Sequence, residues 1–513
     1  MKEVTMEKYI MTIDEGTTSA RAVVFDHDGE IVSVSQNEFN QYYPKPGWLE
    51  QNPIEIWTTT LEVMRRAMGR ANLVPEQIVA IGITNQRETS VVWDRKTGEP
   101  VYRDIVWGDR RTAGHCDWLK ENGYEQMIKE KTGLVVDPEF SAGKIMWILD
   151  NVEGARERAE AGELVFGNID TWVLWNLTGG KVHATDPSNA SRTSLYNIHT
   201  LEWDDELLKL FNIPKSMCPE VKDSCGDFGV TNTPEAFGGA AVPITGILGD
   251  QMAATFGQCC FKKGEGKMTY GTAGVFDVNC GDEPVDSKSG LLTTIGWKIG
   301  DEIQYLLEGV VFNAGSTIQW LRDELDCIED SADSEYFAKK SELPLGTVYF
   351  VPCFSGLGAP NWDAYARGMI MGMSRGATKN DIIRAALDSL AYQTRDMVDS
   401  VGGDLGEPMS VLRIDGGAAN NDLMSQFVAD IHGIDVDRPA NVETTAAGAA
   451  YIAGLQVGYW KDKEEVIAAR KVGKIFKPEM DAKQRERLYA GWLNCLNAIM
   501  VWSKGEKELQ AQD

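Results

Sequence analysis

Two short segments, one in each half of the chain, place a Gly–Thr turn between strand-like runs of apolar residues. The first reads GTTSARAVVFD (residues 16–26) and follows an apolar run at residues 9–13. The second reads GTAGVFD (residues 271–277) within KMTYGTAGVFDVN (residues 267–279). Runs rich in β-branched residues on both sides of a turn predict β-hairpins. The similarity indicates an internal duplication, in which two alike halves meet near residue 255 and present their turns to a shared cleft.

The first turn carries polar groups that suit a phosphate bound with a divalent cation. A tight turn at residues 16–18 would direct backbone N–H groups and hydroxyls to one point beside Asp14. The N–H groups would face phosphate oxygens, and the Asp14 carboxylate would face the metal ion. An ordinary polar hairpin is the alternative interpretation of this segment taken alone.

Composition argues against several classes of function. The chain has 513 residues, enough for two or more domains, and a formal net charge of −27. Such a charge disfavours binding to nucleic acid or to an anionic membrane. Nine cysteines and five histidines without a CxxC pair support neither a disulfide framework nor a zinc site. The lack of a signal-peptide pattern and of an apolar run of transmembrane length predicts a cytoplasmic protein.

Strand-like and helix-like segments alternate along the chain, which predicts an α/β architecture. Residues 53–68 are expected to form a helix that begins after an Asn52 cap. Residues 79–84, 164–170 and 244–249 have the composition of strands.

Charged side chains follow two of these predicted strands. Arg87 and Glu88 follow the strand at residues 79–84, and Asp250 comes directly after the strand at residues 244–249. Ligands of open α/β sheets collect at the carboxyl ends of strands, where a carboxylate can accept the proton of an attacking hydroxyl. Asp250 is therefore the candidate base, while Arg87 and Glu88 could equally form a structural ion pair.

A glycine pair marks a further candidate binding segment, IDGGAANN (residues 414–421). A strand that runs into two glycines lets the backbone approach a flat ligand closely, and the helix N-terminus behind it suits a phosphate or a polar ring edge. A glycine-lined turn without a ligand is an equally good interpretation of this segment alone.

Taken together, these blocks resemble the FGGY carbohydrate kinases over essentially the whole chain. The resemblance rests on the following blocks, in this order: DEGTTSARAVVFD, YPKPGWLEQNP, GITNQRETSVVWD, IVWGDRRT, GDQMAATFGQ, YGTAG, GLLTTI, FSGLGAPNWDAYARG and DGGAANNDLMSQF. It implies two actin-like (ribonuclease-H-like) α/β domains that face a central cleft. Residues 1–255 would form the polyol- and phosphate-binding domain with the catalytic base, and residues 256–513 the nucleotide-binding domain.

The resemblance also implies the ligands and their residues. ATP would bind with Mg²⁺, and Asp14 would hold the metal ion. The residues implied around the transferring phosphate are Thr17, Thr18, Ser19 and Arg21. The residues implied around the ADP moiety are Gly271, Thr272, Gly315 and Gln319 for its phosphates, and Gly417 and Asn421 for its adenosine end.

For the polyol, the resemblance implies hydrogen bonds from Arg87, Glu88, Asp250 and Gln251, with Asp250 as the base and Trp107 beside the ligand. Three positions near the polyol depart from the pattern of the resembled kinases. Glu139 stands where a tyrosine is usual, Val275 where an aromatic residue is usual, and Gly108 where a glutamine is usual. These smaller side chains enlarge the pocket, and Glu139 adds a hydrogen-bond acceptor.

The expected reaction is transfer of a phosphoryl group from ATP to a primary hydroxyl of a small polyol, with glycerol as the first candidate. A larger polyol or sugar (erythritol, a pentitol or a ketose) is the alternative, because it would fill the enlarged pocket better. A second alternative is a nucleotide-binding regulatory protein without kinase activity. The resemblance further implies a homodimer or a homotetramer.

Overall fold

The computed structural model describes residues 6–510, and the first half of the chain is built around a five-stranded sheet. The strands of this half of the chain are β1 (Tyr9–Glu15), β2 (Ser19–Phe25), β3 (Ile31–Glu38), β4 (Glu50–Gln51), β5 (Ile78–Asn85), β6 (Val91–Asp94), β7 (Asp104–Ile105), β8 (Leu164–Gly167), β9 (Ala184–Thr185), β10 (Tyr196–Asn197), β11 (Glu202–Trp203), β12 (Glu220–Val221) and β13 (Ile244–Gly249). Its helices are α1 (Pro53–Arg70), α2 (Ala113–Glu121), α3 (Glu125–Thr132), α4 (Ser141–Asn151), α5 (Ala155–Glu160), α6 (Ile169–Leu177), α7 (Pro187–Ala190), α8 (Asp205–Leu210), α9 (Pro234–Phe237) and α10 (Asp250–Gly257).

The second half of the chain is built around a seven-stranded sheet. The strands of this half of the chain are β14 (Glu265–Tyr270), β15 (Gly274–Gly281), β16 (Leu292–Ile299), β17 (Glu302–Val311), β18 (Tyr349–Val351), β19 (Met369–Met371), β20 (Val411–Asp415), β21 (Val436–Pro439) and β22 (Val472–Phe476). Its helices are α11 (Gly315–Asp323), α12 (Asp333–Ala338), α13 (Lys379–Leu405), α14 (Asp422–His432), α15 (Thr444–Gln456), α16 (Lys463–Ala469) and α17 (Ala482–Gln510). Single 3₁₀ turns lie at Pro75–Gln77, Ser191–Thr193, Lys215–Met217 and Gly417–Asn420.

The two sheets share one core topology. In the first, the order is β13-β5-β1-β2-β3, with β13, β5 and β1 parallel and β1, β2 and β3 antiparallel. In the second, β21, β20 and β14 are parallel, and β14, β15 and β17 are antiparallel in the same order. Each Gly–Thr turn joins the two central antiparallel strands of its sheet. This common topology agrees with the duplication predicted from the two turns.

Helices α10 and α15 bring the two halves into direct contact. A Cβ on Gly257 would lie 2.0 Å from the carbonyl oxygen of Thr444, and one on Gly448 would lie 1.8 Å from that of Ala253. Only glycine permits such close packing of the two helix backbones. Helix α15 also contacts β1, β5 and β13, although it belongs to the second half of the chain.

The sequence-based boundaries agree with several of the observed elements. Helix α1 begins at Pro53, and the Asn52 side chain accepts a hydrogen bond from the backbone N–H of Ile54 at 3.1 Å. The predicted domain division at residue 255 falls inside α10 and stays a prediction, and residues 1–5 and 511–513 of the two predicted domains lie outside the described residues. Within residues 6–510, no helix combines the length and the apolar character that crossing a membrane requires.

Candidate active site

Charged side chains of β1 and β2 lie beside the first turn (residues 16–18). Asp14 lies opposite Arg21 in the pairing of β1 with β2, and Arg21 Nε donates to Asp14 Oδ2 at 3.1 Å. Another nitrogen of the same guanidinium donates to Glu443, the residue before α15. Ser19 begins β2, and its hydroxyl accepts a hydrogen bond from Gln36 at 2.9 Å. Arg21 therefore links one carboxylate from each half of the chain beside the turn.

Side chains from neighbouring loops hold the first turn in place. The carbonyl oxygen of Thr17 accepts from the side-chain amides of Gln41 at 3.0 Å and Gln51 at 2.5 Å. The indole N–H of Trp107 donates to Thr17 Oγ1 at 3.0 Å. Thr18 at the tip of the turn is exposed. The turn is thus anchored through Thr17 and open to solvent at Thr18.

Three parallel strands end at the same edge of the first sheet. Asp14 of β1 lies beside Thr84 of β5, and Asn85 of β5 lies beside Gly249 of β13. The chain leaves β5 toward Arg87 and leaves β13 directly into Asp250. The predicted metal-binding carboxylate, polyol-binding arginine and base therefore share one sheet edge.

Arg87 lies between two carboxylates, one from each half of the chain. Its Nε is 3.0 Å from Asp250 Oδ1, and its Nη1 donates to Glu308 Oε2 at 2.5 Å. The Asp250 side chain is 31% exposed, whereas those of Arg87 and Glu308 are 7% and 0% exposed. Burial raises the pKa of Asp250 above its ordinary value, against the opposing effect of Arg87. Asp250 therefore offers an accessible carboxylate, held by Arg87, whose proton affinity exceeds that of a free aspartate.

Glu88 does not pair with Arg87, which corrects the simple ion pair considered from the sequence. Its carboxylate accepts from Arg192 Nε at 2.5 Å, and its backbone has a positive φ of 64°. Arg192 also lies 3.0 Å from Glu308 Oε1 and is completely buried. Burial alone would raise the pKa of Glu308, but Arg192 and Arg87 together lower it to about 2. Glu308 is thus a fixed anion that orients both arginines.

The charged cluster around Arg87 contains four buried residues that were not identified from the sequence: Arg192, Lys267, Asp277 and Glu308. The last three form one row across neighbouring strands, since Lys267 pairs with Asp277 and Asp277 pairs with Glu308 in the β14–β15–β17 register. All three side chains are completely buried. Each charge has apolar or glycine residues as its immediate neighbours in the strand, and this pattern could have marked them, because buried charges occur where they are paired or functional.

Three positions near the predicted polyol site lie in different surroundings. Glu139 Oε1 is 3.4 Å from Arg192 Nη2, and its side chain is 20% exposed. Burial, and then the charge of Glu88, raise the pKa of Glu139 to about 7 against the opposing effect of Arg192. Val275 lies on β15, and a Cβ on Gly108 would have Leu49 as its nearest neighbour at 3.7 Å. Of these three residues, Glu139 is the one whose side chain contacts the charged cluster, through Arg192.

The second turn (residues 271–272) is held by backbone groups of α11. The carbonyl oxygen of Gly271 accepts from Gly315 N at 2.8 Å, and that of Thr272 accepts from Ser316 N at 3.1 Å. A Cβ on Gly315 would lie 2.6 Å from the Gly271 oxygen, so this contact requires glycine. Gly271, Thr272 and Gln319 are exposed, which leaves this surface accessible to a ligand.

The glycine pair after β20 packs against the strand that leads to the second turn. Gly416 has a φ of 84°, and a Cβ there would lie 2.6 Å from the Tyr270 carbonyl oxygen. Gly417 is exposed, and a Cβ added to it would meet no neighbouring atom within 4 Å. The Asn421 side-chain oxygen caps α14 by accepting from Met424 N at 3.0 Å. The NH₂ group of Asn421 also donates to Ser334 Oγ at 3.3 Å. Gly417 is thus open to a ligand, whereas both ends of the Asn421 amide have protein partners.

The donors at the first turn fit a Mg²⁺ ion that is bound together with phosphates. Within residues 6–510 no group of three or more His, Cys, Asp or Glu side chains forms a protein-only metal site. Mg²⁺ in phosphoryl-transfer sites is held by one or two carboxylates, water and substrate phosphates rather than by a full protein cage. Asp14 beside the turn provides such a carboxylate.

Comparison with known proteins identifies relatives over nearly the full chain. The chain is 57% identical to a glycerol kinase of Halothermothrix orenii over 498 residues, which are 97% of this chain and 99% of the relative. It is also 57% identical to a glycerol kinase of Carboxydothermus hydrogenoformans, over 98% of this chain and 100% of that one.

Solved structures and family domains agree with these relatives. The crystal structure of Plasmodium falciparum glycerol kinase with ADP is similar, with a TM-score of 0.91, 37% identity, and coverage of 96% of this chain and 98% of that chain. Residues 9–257 match the N-terminal domain and residues 266–457 the C-terminal domain of the FGGY family of carbohydrate kinases. The predicted family and its two-domain actin-like α/β fold are confirmed: the chain belongs to the FGGY family of carbohydrate kinases.

Proposed function

We propose that the protein transfers the γ-phosphoryl group of ATP to a primary hydroxyl of glycerol, giving sn-glycerol 3-phosphate and ADP. The observation that carries the proposal is the shared edge of the first sheet, where Asp14 and Arg21 lie beside Arg87 and Asp250. In this arrangement a phosphate beside Asp14 and Arg21 would lie next to an alcohol beside Arg87 and Asp250. The glycerol kinases of similar sequence support glycerol as the substrate.

Asp250 would act as the general base. Its carboxylate would accept the proton of the glycerol hydroxyl while the hydroxyl oxygen forms a bond to the γ-phosphorus and the bond from that phosphorus to the bridging oxygen of ADP breaks. The exposure of the Asp250 carboxylate, its contact with Arg87 and its raised pKa support this role. Gln251, Glu88 and Trp107 would complete the polyol site.

The remaining predicted residues would position the nucleotide and neutralise its charge. Arg21 and the groups of the first turn would face the transferring phosphate, and Mg²⁺ held by Asp14 would supply further positive charge. The second turn with Gly315 and Gln319 would hold the phosphates of ADP, and Gly417 with Asn421 the adenosine end. Backbone contacts rather than charged side chains hold the second turn to α11, which favours this division of roles.

A screen of ADP release tests the proposal. The purified protein is incubated with ATP and Mg²⁺ and, separately, with glycerol, erythritol, several pentitols and several ketoses. The proposal expects the highest kcat/KM with glycerol, and omission of Mg²⁺ should abolish ADP release. Lack of polyol-dependent ADP release with every compound would instead favour the nucleotide-binding regulatory protein.

A larger polyol or sugar is the second candidate substrate, and two observations favour it. Glu139 brings an acceptor of raised pKa to the edge of the charged cluster, and Gly108 lacks a side chain at a position where an added Cβ would only contact Leu49, at 3.7 Å. A higher kcat/KM with erythritol or a pentitol than with glycerol would establish this candidate. The homodimer or homotetramer and the cytoplasmic location stay predictions.

A further inference from the structure

Lys267 is a buried lysine that the proposed reaction leaves without a role. It lies on β14 of the second sheet, and its side chain is completely buried. Its ammonium group donates hydrogen bonds to Gln251 Oε1 at 2.6 Å, Thr269 Oγ1 at 3.0 Å and the carbonyl oxygen of Val275 at 3.5 Å. It also forms an ion pair with Asp277 Oδ2 at 2.9 Å. A lysine ammonium has three N–H donors, so these three hydrogen bonds engage all of them.

Asp277 supplies the opposite charge beside the Lys267 ammonium in the interior. The two residues are cross-strand partners on β14 and β15, and both side chains are completely buried. A buried ammonium without a partner would lose its proton or destabilise the fold. The pair therefore places an ammonium donor next to Gln251.

This donor determines which way the Gln251 amide faces. An amide side chain has an accepting oxygen and a donating NH₂ group, and an ammonium can only donate. The end that faces Lys267 must therefore be the oxygen, and the NH₂ group must face away from Lys267. Gln251 follows Asp250 at the start of α10, and its side chain is partly exposed.

We propose that Lys267 is a positioning residue, which fixes the Gln251 amide so that its NH₂ group donates to an oxygen of the bound polyol. The proposal rests on the proposed function, in which Gln251 is a polyol ligand. Asp250 accepts at the same end of α10, so the two neighbours would offer the polyol one acceptor and one donor. Because Lys267 belongs to the second sheet and Gln251 to the first half of the chain, the orientation of the polyol also depends on the contact between the halves.

A double-mutant cycle tests the proposal with the polyol that the parent protein turns over best in the screen. Lys267→Met combined with Asp277→Leu removes both charges together and leaves no buried charge unpaired. Without the ammonium, the amide can rotate and lose its fixed donor. We expect KM for the polyol to rise about tenfold, as for loss of one hydrogen bond in a site with buried polar groups, with KM for ATP changed less than about twofold.

The Gln251→Ala background separates positioning from a general structural effect. If Lys267 acts through Gln251, removal of the Lys267–Asp277 pair in this background should raise KM for the polyol by less than about twofold. Gln251→Glu should keep the contact with Lys267 but replace the NH₂ donor with an acceptor. It should therefore raise KM for the polyol about as much as Gln251→Ala does, without lowering the melting temperature.

Arg384→Met with Asp388→Leu is the matched control. It removes an ion pair of the second half, at 2.7 Å on α13, and should leave KM for the polyol unchanged. An equal rise in KM in the parent and Gln251→Ala backgrounds would overturn the positioning role. Activity with a polyol other than glycerol would overturn only the proposed substrate, since the cycle is measured with the preferred polyol.

Discussion

The two Gly–Thr turns occupy equivalent places in their sheets but are held by different kinds of contact. At the first turn, the neighbouring groups are charged or polar side chains, with Arg21 joined to Asp14 and to Glu443. At the second turn, the carbonyl oxygens of residues 271 and 272 accept backbone N–H groups from the start of α11. The first turn is thus surrounded mainly by charged and polar side chains, whereas the second is held mainly by close backbone contacts.

This difference indicates that the two turns have different roles in the proposed reaction. Charged groups at the edge of the first sheet suit the transfer of the phosphoryl group, because negative charge is redistributed in that step. A fixed backbone surface instead suits the binding of the ADP part of the nucleotide, which is not transferred. Substitutions that change charge beside the first turn should therefore lower kcat. Substitutions that add volume beside the second turn should raise KM for the nucleotide.

The largest effect is expected from Asp250→Asn at the edge of the first sheet. Asparagine can still contact Arg87 but cannot take the proton of the hydroxyl, so kcat should fall by a factor of roughly 10²–10⁴. Nucleotide affinity, measured by titration with ADP, should stay nearly unchanged. Turnover at the parental rate would show that Asp250 is not the base.

Arg21→Met should have the next largest effect. It removes a guanidinium that would face the transferring phosphate in the proposed reaction, and loss of one such group lowers kcat by about 10²-fold. KM for ATP should change by less than about fivefold. Arg66→Met is the matched control, since Arg66 lies half-exposed on α1, and its kcat should equal that of the parent. A larger change in KM for ATP than in kcat would contradict the proposed division.

Gly315→Ala tests the steric setting of the second turn. The added Cβ would lie 2.6 Å from the Gly271 oxygen and would displace the turn from α11. We expect KM for ATP to rise about tenfold, the equivalent of a modest overpacking cost, with kcat at saturating ATP within about threefold of the parent. Steady-state kinetics with varied ATP measure both values.

Gly402→Ala provides the control for this prediction. Gly402 lies within α13, where an added Cβ has no atom within 4 Å. Alanine there should increase the free energy of unfolding by about 0.5–1 kcal/mol, because glycine is a poor helix former, and should leave KM for ATP unchanged. Equal kinetics of the two alanine variants would remove the steric argument for the second turn.

The family, the two-domain fold and the shared edge of the first sheet could be predicted from the sequence, because each depends on motifs that are local. The prediction of one strand over residues 164–170 is wrong, since β8 ends at Gly167 and α6 begins at Ile169. Apolar residues occur on both sides of Asn168, so hydrophobicity does not mark where the strand ends.

The buried ion pairs could not be predicted, since their partners are far apart in the chain. Glu308 meets Arg87 across 221 positions, and Arg192 meets Glu88 across 104. The sequence indicates that Glu308 is an unusual residue for a strand, but the identity of its partners follows only from the packing of the two sheets. The same applies to Glu443, which reaches Arg21 across 422 positions.

The smallest expected effect is a change of stability with pH. It should arise from the charged cluster rather than from the second turn. The pKa of Glu139 is raised from 4.5 to about 7, so the folded protein retains a proton that the unfolded chain releases. The free energy of unfolding should therefore decrease as the pH rises from about 4.5 to about 7. Glu139→Gln removes this titration, so the variant should be more stable than the parent above pH 7, by on the order of 1 kcal/mol, and similar to it below pH 4.5.

Urea unfolding of both proteins at pH 4, 6 and 8 measures this difference. Glu464→Gln is the control, because Glu464 is exposed on α16, and its curve should run parallel to that of the parent. A parallel curve for Glu139→Gln as well would mean that Glu139 is ionised like a surface glutamate. In that case, Glu139 would be fully ionised in the polyol pocket at neutral pH. An ionised carboxylate there would favour a polyol with more donor hydroxyls than glycerol has.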